Sequence, residues 1–152
     1  MNRRTFLFGA AATASWLALP RGSAGISSGA TLELHVTYTG AGTVDEAHRF
    51  YVAVWDSPDF VKEGGNSLKP IGTGRVMSKS GIATFEDIQK TPVFISMAYD
   101  ATGKWDDLKS DPPSGTSLGL YSKEPGVPAP VDLVPGKKTK VSAELDDSFQ
   151  KP

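Results

Sequence analysis

The stretch Val93-Phe94-Ile95-Ser96-Met97-Ala98-Tyr99 is the longest apolar run in the folded part of the chain, and it constrains the fold more than any other segment. It reads as a core strand, and it empties directly into the densest acidic loop, with Asp100, Asp106, Asp107 and Asp111 close together. Other segments carry the same signature. Thr31 to Thr39 sets Leu32, Leu34, Val36 and Tyr38 on one face and Glu33, His35 and Thr37 on the other, a period of two that predicts a half-buried strand. Arg49 to Asp56 is apolar on both faces, as a central strand should be, and its expected partner is the first strand. Ile71–Met77 and Ile82–Phe85 flank Ser78-Lys79-Ser80-Gly81 at a hairpin-like spacing. Ser117–Tyr121 is a weaker strand candidate, and Pro125, Pro128 and Pro130 confine the next segment to loop or edge geometry. Val131–Val134 and the alternating Thr139–Asp146 lie on either side of the turn Pro135-Gly136.

Seven or eight short strands, turn signals between them and no helical period predict an all-β fold, an antiparallel two-sheet sandwich of transthyretin-like or immunoglobulin-like type. The 16 glycines and 11 prolines supply the turns that such a fold needs. The sandwich is expected over residues 31–147, with a flexible lead-in at 25–30 and a tail at 148–152. One core is enough at this size without disulfides, and the chain has no cysteine to make them.

Residues 1–24 have a different character. Arg3-Arg4-Thr5-Phe6-Leu7 precedes an uncharged, Ala-rich segment that ends at Leu19, and Gly22-Ser23-Ala24 closes it with small residues. The apolar segment is too short to span a bilayer, which takes about 20 residues. Basic start, short apolar centre and small-residue end together read as a secretory signal peptide, and the arginine pair matches the twin-arginine pattern. The expected address is therefore the periplasm or the exterior. Cutting after Ala24 leaves 13 basic against 17 acidic side chains, a net charge of −4. Such a surface lacks the basic stripe that nucleic acid or an anionic membrane requires, so neither is an expected partner, and no later segment is expected to span a membrane.

The order Tyr51-Val52-Ala53-Val54-Trp55-Asp56, Ala83-Thr84-Phe85-Glu86-Asp87-Ile88 and Tyr99-Asp100-Ala101-Thr102-Gly103-Lys104-Trp105-Asp106 resembles exported bacterial domains of unknown function. Val131-Asp132-Leu133-Val134-Pro135-Gly136, with Val141 to Leu145 behind it, is similar to the last hairpin of transthyretin-like and carboxypeptidase-regulatory-like sandwiches. The resemblance covers Leu32 to Leu145 and implies a sandwich; the first family brings no assigned activity with it. Transthyretin-like enzymes that hydrolyse 5-hydroxyisourate end in Tyr-Arg-Gly-Ser, whereas this chain ends in Ser148-Phe149-Gln150-Lys151-Pro152, so the resemblance does not extend to that activity.

One acidic constellation has metal-like spacing. Asp100, Thr102, Asp106 and Asp107 place oxygen atoms around Gly103 as a Ca²⁺ ion would need, against the alternative of a solvated turn in which Asp100 bonds nearby amides. The turn is the expectation, because Lys104 stands where a ligand should be and the terminal bidentate Glu is missing; apart from that Ca²⁺, no cofactor is expected. His35 and His48 are read as exposed residues rather than as a pair. Tyr99, Trp105 and Tyr121 are candidate rings for stacking on a sugar or peptide, with packing at the sandwich end as the alternative. The function expected is an exported binding or accessory module, with an unknown protein or small molecule as partner. Its recognition surface is expected at one sandwich end, formed by the loops Ser57–Lys69 and Asp100–Ser117. A small exported hydrolase or metal-dependent enzyme is the competing reading. Export itself is testable: replacing Arg3 and Arg4 together with lysine should leave precursor in the cytoplasm, as read by fractionation and immunoblotting. Unchanged secretion would assign the general route.

Overall fold

The computed structural model describes residues 28–62, 65–106 and 110–152. The expected leader with Arg3 and Arg4, the first part of the lead-in and Asp107 lie outside the described residues. The described residues form an all-β fold with no α-helix. Its strands are β1 (Ala30–Tyr38), β2 (Phe50–Trp55), β3 (Gly72–Val76), β4 (Ser80–Ile88), β5 (Phe94–Tyr99), β6 (Ser117–Leu120), β7 (Ser122–Glu124), β8 (Val127–Pro128) and β9 (Lys138–Leu145). No helix among these residues is long and apolar enough to cross a membrane.

Two sheets face each other. One has the order β4-β1-β9 and the other β3-β2-β5-β6, with β7 and β8 forming a separate small hairpin. The alternation of β1 becomes geometry directly: Leu32, Leu34, Val36 and Tyr38 are buried at 2% exposure or less, while Glu33, His35 and Thr37 point away from the core. Opposite them, Phe50, Val52 and Val54 of β2 and Ile95, Met97 and Tyr99 of β5 close the same cluster.

Three pairings differ from those the sequence predicts. β2 pairs with β3 and β5, not with β1, because its inward residues face β1 across the core instead of lying beside it. β3 and β4 form no hairpin: β3 joins β2 while β4 joins β1, so the residues between them cross from one sheet to the other. Val131–Val134 and β9 form no hairpin either. Val131 bridges Val93, and past Gly136 the chain enters β9, which runs parallel to β1, the one parallel strand pairing among the described residues. A parallel partner needs a long connection, and the whole chain between β1 and β9 provides it. The expected tail is also integrated, since Leu118 donates to the Phe149 carbonyl and Lys151 donates to that of Thr116 along the β6 edge.

At one end the two sheets are joined by a carboxylate. Asp147 Oδ1 accepts the Tyr38 hydroxyl of β1 at 2.6 Å and the Ser117 hydroxyl of β6 at 2.7 Å, while Oδ2 accepts the Ala41 amide at 3.0 Å. The Tyr38 hydrogen bond is the chief reason that the Asp147 carboxyl lies below the usual carboxylate range, and burial is the chief reason that the Tyr38 phenol is pushed up. Above them the Tyr38 and Tyr99 rings pack at 4.2 Å, and Tyr99 donates to the Thr43 carbonyl. A Cβ on Gly42 would collide with the Tyr99 hydroxyl, which is why the loop there has none. On the outer face of the three-stranded sheet, Glu33 accepts Lys138 at 2.9 Å, with His35 and Lys140 beside it, and these hold its carboxyl at about 2.

Removing a donor to a charged acceptor costs about 1.5–3 kcal/mol, so Tyr38→Phe should destabilise by that order and Asp147→Ala by more, measured by urea unfolding. Both carboxyl pKa values are depressed by folding. Their stabilisation is therefore complete above the ordinary values of 3.8 and 4.5 and is lost as the pH falls, for Glu33 through about 2. Melting temperature should fall across that acid range, and Glu33→Gln should flatten the decline.

Candidate functional site

β2 and β5 each bury one face in the core and turn the other outward. Tyr51, Ala53 and Trp55 of β2 lie beside Ala98, Ser96 and Phe94 of β5 on the outer face of the four-stranded sheet, in the register Tyr51 to Ala98, Ala53 to Ser96 and Trp55 to Phe94. Each end of this face carries an aromatic pair whose second ring comes from a loop.

Asp100 positions the first pair. It comes directly after β5, is only 1% exposed, and its carboxylate binds the next loop: Oδ1 accepts the Thr102 amide at 2.8 Å and its hydroxyl at 2.6 Å, and Oδ2 accepts the Trp105 amide at 2.8 Å. Burial alone would raise this pKa. The Thr102 hydroxyl and the amides of Trp105, Thr102 and Gly103 outweigh it, so the carboxyl is held below its usual value. Gly103 makes the turn possible: its φ is +67°, and a Cβ there would stand 2.7 Å from the Ala47 carbonyl oxygen. With its amide fixed, Trp105 lies edge-on to Tyr51, ring centroids 4.5 Å apart. Its carbonyl accepts the Tyr51 hydroxyl at 3.1 Å, and its Nε1 donates to the Ser110 carbonyl at 2.9 Å. The Arg75 guanidinium stands 5.7 Å from the centre of the Tyr51 ring.

The second pair is Trp55 and Phe60, stacked at 4.7 Å with 11° between planes. Trp55 Nε1 donates to Ser96 Oγ at 2.9 Å, which fixes the indole on the sheet. Phe60 sits in a 3-10 turn, Pro58–Val61, whose start is capped by Ser57 Oγ accepting the Asp59 amide at 3.1 Å. Tyr51 and Trp55 are four residues apart on one strand, so the two pairs are about 13 Å apart. Between them the floor consists of the half-buried Ala53 and Ser96, with Leu118 and Leu120 of β6 alongside.

The residues singled out from sequence are not gathered in one place. Trp105 is on this face. Tyr99 faces the core, 4% exposed, one position before Asp100 but on the other side of the sheet. Tyr121 packs against the core beyond β6, at the opposite end of β5 from Trp105, because the register runs from Tyr99–Ser117 to Ser96–Leu120. The loops at 57–69 and 100–117 likewise leave opposite ends of antiparallel strands, so they do not share a sandwich end. Asp100 and Thr102 bond each other in the solvated turn that the sequence predicts: the Asp100 carboxylate is buried and accepts the nearby amides, while residues 101–104 are exposed; Asp106 gives its carbonyl to Ser110. No group of three or more His, Asp or Glu side chains among the described residues is arranged to hold a metal ion. His35 bonds Glu33 on the three-stranded sheet and His48 bonds Asp45 in a loop, so the two histidines do not meet. Tyr51, Trp55, Phe60 and Ser96 were the residues that sequence reasoning missed. The aromatic–small–aromatic alternation of Tyr51, Ala53 and Trp55 was the available signal, obscured because both faces of that strand are apolar.

No protein-family model, curated protein or solved structure matches this chain.

Asp100→Ala would strand the Trp105 and Thr102 donors. A loss of about 2–3 kcal/mol is expected by denaturant unfolding, together with a change in Trp105 fluorescence. Excess Ca²⁺ should leave the melting temperature of the unaltered protein in place, because Asp100 already accepts three loop donors. A saturable upward shift, abolished in Asp106→Asn, would instead assign a cation site.

Proposed function

We propose that the protein is an exported binding module that lays an extended carbohydrate ligand across the outer face of its four-stranded sheet. The observation that carries this reading is the pair of aromatic platforms, Trp105 on Tyr51 and Trp55 on Phe60, held about 13 Å apart on one rigid strand. Flat rings offer apolar faces for stacking at little conformational cost, and polar groups beside them give direction to a ligand. Here those polar groups are the Ser96 and Thr73 hydroxyls and the Arg75 guanidinium. Each platform ring is already fixed by a hydrogen bond or by stacking, so binding would order little that is not ordered beforehand. Export through the twin-arginine route, with Arg3 and Arg4 as its signal, belongs to the same proposal and would place the module in the periplasm or outside the cell. The resemblance to exported sandwich domains supports that address.

Screening the protein against a glycan array, followed by titration of hits by tryptophan fluorescence, tests the reading. Trp55→Ala and Trp105→Ala should each weaken binding by about 1–2 kcal/mol, roughly tenfold, while a change at Ile82 on the other sheet should have no effect. Selective capture of peptides by the same two rings would replace the ligand class; binding unaffected by either change would reject the face.

A further inference from the structure

The three-stranded sheet ends at β9, and no strand among the described residues lies on its outer side. The ladder to β1 fixes which backbone groups point outward. Thr31 N–H donates to Lys137 O and Thr39 N–H to Leu145 O, so in the parallel register between them the odd residues of β9 bond β1. Lys138, Lys140, Ser142 and Glu144 therefore turn their N–H and C=O groups away from the sheet, and their side chains are exposed. An open edge of this length templates another strand unless something guards it, and lysines often do. Here Lys138 and Lys140 lean back over β1 onto Glu33, at 2.9 and 3.2 Å, instead of projecting off the edge.

Run in the reverse direction, this edge complements itself. Its first half is basic, Lys138 and Lys140, and its second half is acidic, Glu144 and Asp146. An antiparallel twin centred on Ser142 sets Ser142 opposite its own counterpart, Lys140 opposite Glu144 and Lys138 opposite Asp146. Every charged pair occurs twice about the two-fold axis, on the same outer face of the joined sheet. Lys138, Lys140, Ser142 and Glu144 are the strand residues with outward backbone groups, and Asp146 follows directly after the strand, so hydrogen bonds and charges favour the same register. Beside the acidic half runs a groove of about 170 Å³ between β6 and β9, lined by Leu118, Leu120 and Leu145 among others, which a second strand would roof. We infer that the protein forms a two-fold dimer by antiparallel pairing of β9 with β9, making one continuous six-stranded sheet from two copies.

The absence of native cysteine gives a direct test. In a hydrogen-bonded antiparallel pair the facing Cα atoms are about 5.5 Å apart, within the range that a disulfide spans. Ser142→Cys in the full chain should give a covalent dimer under mild oxidation, whereas Thr73→Cys on β3 should not. By sedimentation the unaltered protein should be dimeric. Glu144→Lys alone and Lys140→Glu alone should each weaken self-association roughly tenfold or more, and the double exchange should restore it. Circular dichroism confirms that each variant is folded. A monomer at every concentration, failure of Ser142→Cys to cross-link, or a dimer indifferent to both charge reversals would overturn the inference.

Discussion

The Asp147 carboxylate joins the sheets by directed hydrogen bonds at the end where the Tyr38 and Tyr99 rings pack across the core. A sandwich holds its layers by apolar burial, which is strong but without direction, and sliding of one sheet over the other costs it little until side chains clash. Asp147 adds direction at the end where the strands finish. It accepts from Tyr38 on β1 and Ser117 on β6, one residue from each sheet, and from Ala41 in the loop between β1 and β2. That anchors the C-terminal segment too, and the residues after Asp147 then run along the β6 edge. Thus the last part of the chain closes an edge that a four-residue strand would otherwise leave open.

The second carboxylate, Asp100, acts on a smaller scale by the same physics. A buried charge is tolerated only when its lone pairs are filled, and here the donors come from the next five residues of the chain. The loop is therefore wound around Asp100, and Trp105 is delivered onto Tyr51 as a result. Rigid placement of an aromatic ring by a backbone amide is what separates a platform from a ring that happens to be near the surface. At the other end of the sheet, Ser96 and the Pro58–Val61 turn do for Trp55 and Phe60 what Asp100 does for Trp105.

Both functional proposals use surfaces that the core does not need. The outer face of β2 and β5 is available because Phe50, Val52, Val54, Ile95, Met97 and Tyr99 supply their share of the core. The β9 edge is available because β1 is satisfied on both sides by β4 and β9. The aromatic pairs lie on the four-stranded sheet and β9 on the three-stranded one, so a strand paired to β9 does not lie over the half-buried Trp55, Phe60 or Trp105, and the two surfaces meet only at Leu118 and Leu120 of β6.

Local pattern determined the strands. The period of two in β1 and β9, the two-faced apolar runs of β2 and β5 and the glycine and proline breaks fixed the fold class, because side-chain alternation and turn chemistry are properties of a few neighbouring residues. Tertiary structure alone decided which strands pair: β1 takes β4 and a parallel β9, and β2 takes β3 and β5, choices made by how two sheets fit around one core. Spacing in sequence also put Tyr99, Trp105 and Tyr121 on one surface, and the sheet separated them, since Tyr99 faces inward and Tyr121 lies past the far end of β5. Asp147 is the clearest case. Its sequence neighbourhood, Asp146-Asp147-Ser148, looks like solvated surface, and only the arrival of Tyr38 and Ser117 from 109 and 30 residues away makes its carboxylate the joint between the sheets.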